Sequence, residues 1–272
     1  MAKKEVGIVY LAAGNSSRFN NKPKVLAEIG KNGETFIEYS LEQSLEAGFN
    51  KIFFIVNDKT KHLLWEKFGA SYRNISISYS EQTYDPTERD KPWGTVDALC
   101  TLRGKIECPF VVCNGDDLYG KESFATLYSH LLKDRKQESA SLLYSLEDVL
   151  PENGLVNRGI FEEREGYISS IVEMFNLDRK NFREKGLSQS DNCSMGIFAL
   201  YPSVIDSLYE NLSTFKELNR GDRKKECLTG TEIHNLIQEK KLILKAYPTN
   251  SKWIGLTNPE DLGSVRKYLE ID

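Results

Sequence analysis

Apolar residues in the first half of the chain fall into short runs separated by helix-length stretches. Val6–Ala12 is an apolar run of strand length, and Lys51–Val56 (KIFFIV) is another. Runs without polar alternation fit strands buried on both faces of a parallel sheet. Between them, Phe36, Ile37, Leu41 and Leu45 recur at helix-face spacing, which predicts a helix over Thr35–Ala47 stopped by Gly48. The alternation continues with a helix over Lys59–Phe68, a strand over Ile75–Tyr79 and a helix over Gly94–Leu102. A strand over Phe110–Cys113 follows, then a helix over Ser123–Leu132 and a strand over Ser139–Ser145. Strands alternating with helices predict an α/β fold, a doubly wound and mostly parallel sheet with helices on both faces.

The second half has a different pattern. Leu155–Phe161 and Tyr167–Phe175 read as strands joined by a polar turn, Glu162–Gly166, and a polar loop covers Asp178–Asn192. Ser194–Tyr201 reads as one strand, Pro202–Asn211 as a helix opened by Pro202, Thr229–Glu239 as a helix and Lys241–Tyr247 as a strand. Asn258–Tyr268 closes as a helix with Asn258 as cap, Pro259 in the first turn, and Glu260 and Asp261 at its positive end. Thr229 followed by Glu232 has the spacing of a capping box, so Glu232 is expected to be structural. No linker and no repeat interrupts the chain. The expectation is a single domain over 1–272, with a nucleotide-binding half to about residue 150 and an acceptor-binding half after it.

Composition narrows the function. The chain has 272 residues, 40% of them hydrophobic, enough for a full core. Lys and Arg number 36 against 40 Asp and Glu, a net charge of −4, so a nucleic-acid partner is not expected. The basic run Asn219–Lys225, with Asp222 inside it, reads as a solvated surface segment. The five cysteines, Cys100, Cys108, Cys113, Cys193 and Cys227, include no C-x-x-C pair, which points to reduced, mostly buried thiols and a cytoplasmic setting. His62, His130 and His234 are too scattered to suggest a zinc site. The start MAKKEVGIVYLAAG looks superficially like a secretion signal, but Glu5 interrupts its order and cleavage after Ala13 would destroy the motif described next. No apolar stretch approaches about 20 residues, so no membrane span is expected.

Chemistry-bearing residues gather at the ends of predicted strands. After the first strand, Leu11, Ala12, Ala13, Gly14, Asn15 and Ser16 form a small polar loop, followed by Arg18, Lys22 and Lys24. Exposed backbone N–H groups beside fixed cations suit a polyphosphate. The strand Phe110–Cys113 runs into Asn114-Gly115-Asp116-Asp117. Carboxylates at the carboxyl end of an open sheet strand can hold Mg²⁺ together with phosphate oxygens; alternatively, they cap the helix near Ser123. Gly94-Thr95 opens a predicted helix, with Thr95 as a possible plain N-cap and Asp97 in the first turn.

Taken together, these strings resemble the nucleotidyltransferases of the GT-A type: the sugar-phosphate nucleotidylyltransferases and their cytidylyltransferase relatives. The signature L-A-A-G-x-S-x-R…P-K is matched by Leu11, Ala12, Ala13, Gly14, Ser16, Arg18, Pro23 and Lys24. The resemblance implies a Rossmann-like GT-A fold. It also implies a nucleoside triphosphate over the Ala12–Gly14 backbone, with Arg18 and Lys24 on its phosphates and a metal aspartate at Asp116, with Asp117 second. Gly94 and Thr95 match the base-reading G-T-x-x-A string, and Gln82 the base-contacting glutamine. On the acceptor side, Gly154 matches the Y-G-x-V element and Glu173 the I-V-E-K-P element. Three positions depart from the pattern: Met174 stands where the lysine is expected, Ser194 where an asparagine is, and Gly255 where the second metal aspartate is.

The function so implied is Mg²⁺-dependent transfer of a nucleoside monophosphate from a triphosphate to a phosphorylated small molecule, a sugar phosphate above all, with pyrophosphate released. Two other readings remain open: a cytidylyltransferase acting on a non-sugar alcohol phosphate such as phosphocholine, and a nucleotide-binding regulatory protein without turnover. The base, the acceptor and the oligomeric state are not specified by these motifs.

Overall fold

A computed structural model describes residues 4–14, 23–133, 137–151, 154–256 and 261–269. In chain order it contains β1 (Gly7–Ala12), α1 (Phe36–Ala47), β2 (Lys51–Val56), α2 (Asp58–Phe68), β3 (Ser71–Tyr72), β4 (Ile75–Glu81) and α3 (Thr95–Cys100). Then come β5 (Phe110–Asn114), β6 (Asp117–Leu118), α4 (Lys121–Leu132), β7 (Ser139–Ser145), α5 (Leu146–Val149), β8 (Val156–Arg164) and β9 (Tyr167–Leu177). The remainder is β10 (Asn192–Ser194), β11 (Phe198–Leu200), α6 (Pro202–Leu218), α7 (Thr229–Gln238), β12 (Leu244–Pro248), β13 (Ile254–Gly255) and α8 (Asp261–Leu269).

The main sheet has the order β10-β8-β9-β12-β7-β11-β5-β1-β2-β4-β3. Its centre, β5-β1-β2-β4, is parallel, as the unbroken apolar runs require. The first strand is buried on both faces. Ile8, Tyr10 and Ala12 enter one core layer with Phe54, Leu64 and Phe124, and Val9 enters the other with Phe53, Val112 and Phe198. After β1 the chain steps to β2 and then β4 on one side, and then crosses to β5 on the other. The carboxyl ends of β1 and β5 therefore flank the topological switch point, where open sheets bind ligands. On the far side β10 also pairs with β7, so β7, β12, β9, β8 and β10 close on themselves.

Four details of the sequence reading change. Ser194–Tyr201 is two strands, β10 and β11, because Gly196 turns at a left-handed φ of 72° and moves the chain from β8 to β5. The helix from Pro202 continues to Leu218, since Leu212 and Phe215 extend its packed stripe. No capping box forms at Thr229–Glu232. Leu228 is the N-cap, the Thr229 hydroxyl is turned to Thr95, and the buried Glu232 accepts from Asn211 Nδ2 at 2.9 Å. Gly94, not Thr95, is the N-cap of α3. The expected caps Asn258, Pro259 and Glu260 lie outside the described residues.

All five cysteines are free, and four are buried. Asp222 is exposed and accepts from the Lys224 and Lys225 N–H groups. No helix among the described residues is long and apolar enough to cross a membrane.

Candidate active site

The cleft opens above β1 and β5. Gly115 N–H donates to the Leu11 carbonyl at 2.9 Å, binding the end of β5 to the end of β1. A Cβ on Gly115 would come within 3.0 Å of Val25 and 3.1 Å of the Leu11 carbonyl, so a side chain here would crowd this approach. That junction sets the two following carboxylates beside the signature loop.

Lys24 stands in a single 3-10 turn after Pro23. Its Nζ donates to the Leu256 carbonyl at 2.8 Å and lies 3.9 Å from Asp116 Oδ2. The Asp116 carboxyl is pushed above its ordinary value by burial, against the pull of Lys24. Asp117 is only 7% exposed. Its Oδ2 accepts from Asn114 Nδ2 at 2.8 Å and lies 3.1 Å from the Tyr119 hydroxyl. Burial first, and the neighbouring Asp116 charge second, push Asp117 up to about 7. Two neighbouring carboxyls both held above their ordinary values form a site short of positive charge. Two hard oxygen donors at the end of β5 fit Mg²⁺, which takes one or two carboxylates and completes its shell with other oxygens. Among the described residues no group of three or more His, Cys, Asp and Glu forms a fuller ligand set.

Gly255 faces Asp117 directly across the β6–β13 ladder. A Cβ there would sit 2.7 Å from Asp117 Oδ1 and would overlap the Trp253 ring. Position 255 therefore has no room for an acidic side chain, because Asp117 and Trp253 fill the space.

The loop after β1 is pinned by Asn57. This N-cap of α2 donates through Nδ2 to the Ala13 carbonyl at 2.9 Å while its Oδ1 accepts from Thr60 N–H. A hollow of about 320 Å³ beside it is lined by Gly14, Pro23, Asn57, Gln82 and Tyr84. Gln82 reaches Gly94 through its side chain, and Gly94 leads into Thr95. The Thr95 hydroxyl accepts from both the N–H and the hydroxyl of Thr229, at 2.9 and 2.8 Å. Asn15, Ser16 and Arg18 lie outside the described residues.

The main cleft encloses about 420 Å³ and brings Leu11, Thr95, Asp116, Asp117 and Glu173 together. Glu173 packs against Gly159 and Gly230, and burial pushes its carboxyl up. Gly154 does not join it. That residue is exposed with open space around it, because the bend before β8 carries it away from the cleft wall. Arg158 and Trp253 occupy this wall; sequence reasoning passed over Arg158 and met Trp253 only as the first residue of the string WIGLTNPEDL, which resembles W-x-D-x-G-T-P-E-D-L. Arg158 lies across from Met174 in the β8–β9 register, and its guanidinium is 5.2 Å from the Trp253 ring. Its Nη2 donates to the Val149 carbonyl at 2.7 Å, while Arg158 Nε and Trp253 Nε1 are buried with no hydrogen-bond partner among the described residues. A lone arginine in a strand carries no signal until the fold places it beside Trp253.

The sequence profile of the nucleotidyl transferase family matches residues 9–272. The chain belongs to that family. Its enzymes are nucleotidyltransferases, and the mixed α/β sheet is the fold shared with them. The chain is 25% identical over 275 residues to the bifunctional protein GlmU of Buchnera aphidicola subsp. Schizaphis graminum, covering 98% of this chain and 51% of that one. It thus spans about half the length of that relative. Two solved structures share the fold. One is the inositol-1-phosphate CTP transferase from T. maritima, at TM-score 0.67 and 15% identity, covering 98% of this chain and 95% of that one. The other is a putative glucose-1-phosphate thymidylyltransferase from Bacillus anthracis, at TM-score 0.68 and 18% identity, covering 97% and 94%.

Proposed function

We propose that this nucleotidyltransferase transfers a nucleoside monophosphate from a triphosphate to a phosphorylated acceptor, with a sugar phosphate as the first candidate, and releases pyrophosphate. The observation that carries the reading is the approach of Lys24 to Asp116, with Asp117 next to it, at the switch point of the sheet where Gly115 joins the end of β5 to the end of β1. The acceptor phosphate is already anionic, so no protein nucleophile or general base is required. The work is alignment and charge neutralisation.

In this reading Lys24 lies between the acceptor phosphate and the α-phosphate and offsets the charge gathered there during in-line displacement. Arg18 holds the leaving β- and γ-phosphates, an assignment that rests on the signature string. Asp116 and Asp117 hold Mg²⁺, which would supply charge neutralisation at the α-phosphate. Gln82, Gly94 and Thr95 meet the base. Glu173 accepts from acceptor hydroxyls, as its place in the wall of the main cleft suits. A cytidylyltransferase acting on a non-sugar alcohol phosphate is the second reading. It is favoured by Ser194 and Gly255, which stand where the sugar-phosphate pattern has its asparagine and its second metal aspartate.

The test is thermal denaturation with CTP, UTP, dTTP, ATP and GTP, each with and without Mg²⁺, followed by an acceptor screen read as pyrophosphate release. A Mg²⁺-dependent rise with one or two triphosphates is expected, because a ligand that binds only the folded state stabilises it. Pyrophosphate release only with sugar phosphates supports the first reading, and release only with alcohol phosphates the second. Triphosphate binding without turnover on any acceptor would refute both in favour of a regulatory nucleotide-binding role.

A further inference from the structure

Gln82 and Asp97 meet behind the nucleotide hollow. Gln82 follows β4, and Asp97 lies in the first turn of α3. Gln82 Nε2 donates to the Gly94 carbonyl at 2.9 Å and to Asp97 Oδ2 at 2.9 Å. A primary amide carries two N–H hydrogens and one carbonyl oxygen. Both hydrogens are here taken by groups that only accept, a carbonyl and a carboxylate. Turning the amide over would set its oxygen against two acceptors, so its orientation is decided by chemistry. Asp97 is itself held. Lys216 Nζ, from α6, donates to its other oxygen, Oδ1, at 2.6 Å, and the Asp97 side chain is only 12% exposed. Gln82 lines the hollow beside Gly14 and Tyr84, and its Oε1 takes no hydrogen bond from any described residue.

We propose that Asp97 is a positioning residue for nucleotide selection, locking the Gln82 amide so that its oxygen, and not its nitrogen, faces the nucleobase. The base that fits presents an N–H to that oxygen. A base that presents a ring-nitrogen lone pair there meets acceptor against acceptor and is rejected. Lys216 acts one step further back, by holding the carboxylate that holds the amide. The G-T-x-x-A string leaves position 97 open, so the lock is read from the contacts of Asp97 and not from the motif. The inference rests on the reading of Gln82 as a base contact.

The experiment measures dissociation constants of Mg²⁺ complexes of CTP, UTP, dTTP, GTP and ATP for the unaltered protein and for Gln82→Ala, Asp97→Asn, Lys216→Gln and Lys24→Ala. In Asp97→Asn an amide replaces the carboxylate at the same size and can meet either face of the Gln82 amide, so the Gly94 carbonyl alone is left to hold the orientation. The ratio between the best- and worst-bound triphosphates is expected to shrink by about tenfold, because a site whose polar partner is held by one acceptor in place of two turns over more readily and discriminates less. The gain falls on the triphosphates formerly rejected. Lys216→Gln moves the ratio in the same direction by less, and serves as the readout where Asp97→Asn fails to fold. Lys24→Ala weakens all five triphosphates alike. Unchanged ratios in Asp97→Asn or Lys216→Gln, with altered ratios in Gln82→Ala, overturn the lock. Unchanged ratios in Gln82→Ala overturn the base contact and the lock with it, while uniform weakening by Lys24→Ala leaves the transfer reading intact.

Discussion

Replacing Asp117 by asparagine should stabilise the free protein at neutral and alkaline pH while weakening the metal site. Asp117 is 7% exposed, and its folded-state carboxyl stands at about 7 against an ordinary 3.8. The folded state therefore binds this proton more tightly than the unfolded chain does. The stability contributed by the neutral carboxyl is fully present below 3.8 and is lost as pH rises through about 7. At about 1.4 kcal/mol per tenfold in the protonation constant, the loss approaches about 4 kcal/mol above pH 8. Asparagine carries no charge to desolvate, and its side-chain oxygen can keep the bonds from Asn114 Nδ2 and the Tyr119 hydroxyl that now reach Oδ2. Urea denaturation of both proteins in EDTA, from pH 5 to pH 8.5, reads the difference. The stability of Asp117→Asn over the unaltered protein should grow between pH 5 and pH 7 and level off above pH 8. In excess Mg²⁺ and triphosphate the gap should narrow or reverse, since only the carboxylate gains the ion. A stability difference flat with pH, or a variant less stable at pH 8 in EDTA, would refute the argument that burial and the Asp116 charge strain this carboxylate.

Other outcomes follow from the same geometry. Lys24→Ala and Asp116→Ala should each lower turnover roughly 10²-fold or more, the scale of losing one preorganised charge, with far-ultraviolet circular dichroism unchanged. Gly94→Ala should cost at least about 2 kcal/mol, or roughly 4–8 °C in melting temperature. Gly94 has a φ of 101°, and a Cβ there would lie 2.5 Å from the Cys227 carbonyl. Gly154→Ala is the control: at a φ of 93° with open space around it, it meets only the backbone penalty, and an equal loss at both sites would show that the close approach to Cys227 does not matter.

Much of the site was legible because its parts are local in sequence. Ala12–Gly14 and Gly115-Asp116-Asp117 each follow a strand that announces itself by apolar composition, and the end of such a strand is where a parallel sheet exposes its backbone. The thiols and Asp222 also read correctly, since burial follows their apolar or charged neighbours. Misreadings arose where one residue served a partner far away in the chain. Thr229 reads as a cap for its own helix but is turned to Thr95, and Glu232 reads as half of a capping box but is bonded to Asn211. Gly196 reads as an ordinary strand glycine, yet it is the corner at which the chain changes partners.

The sequence alone determined the alternation of the main strands and helices, the loop string after β1, the acidic pair and the membership of the chain in its family, because each is written in contiguous residues or in a fixed spacing. Only the tertiary structure decided that Gly255 lies against Asp117 and Trp253, that Arg158 and Trp253 share a wall of the main cleft, that Gly154 stands outside it, and that Asp97 holds Gln82. Those facts depend on pairings between strands and helix ends far apart in the chain. A linear pattern records which residues prefer burial, and not which partner each one meets there.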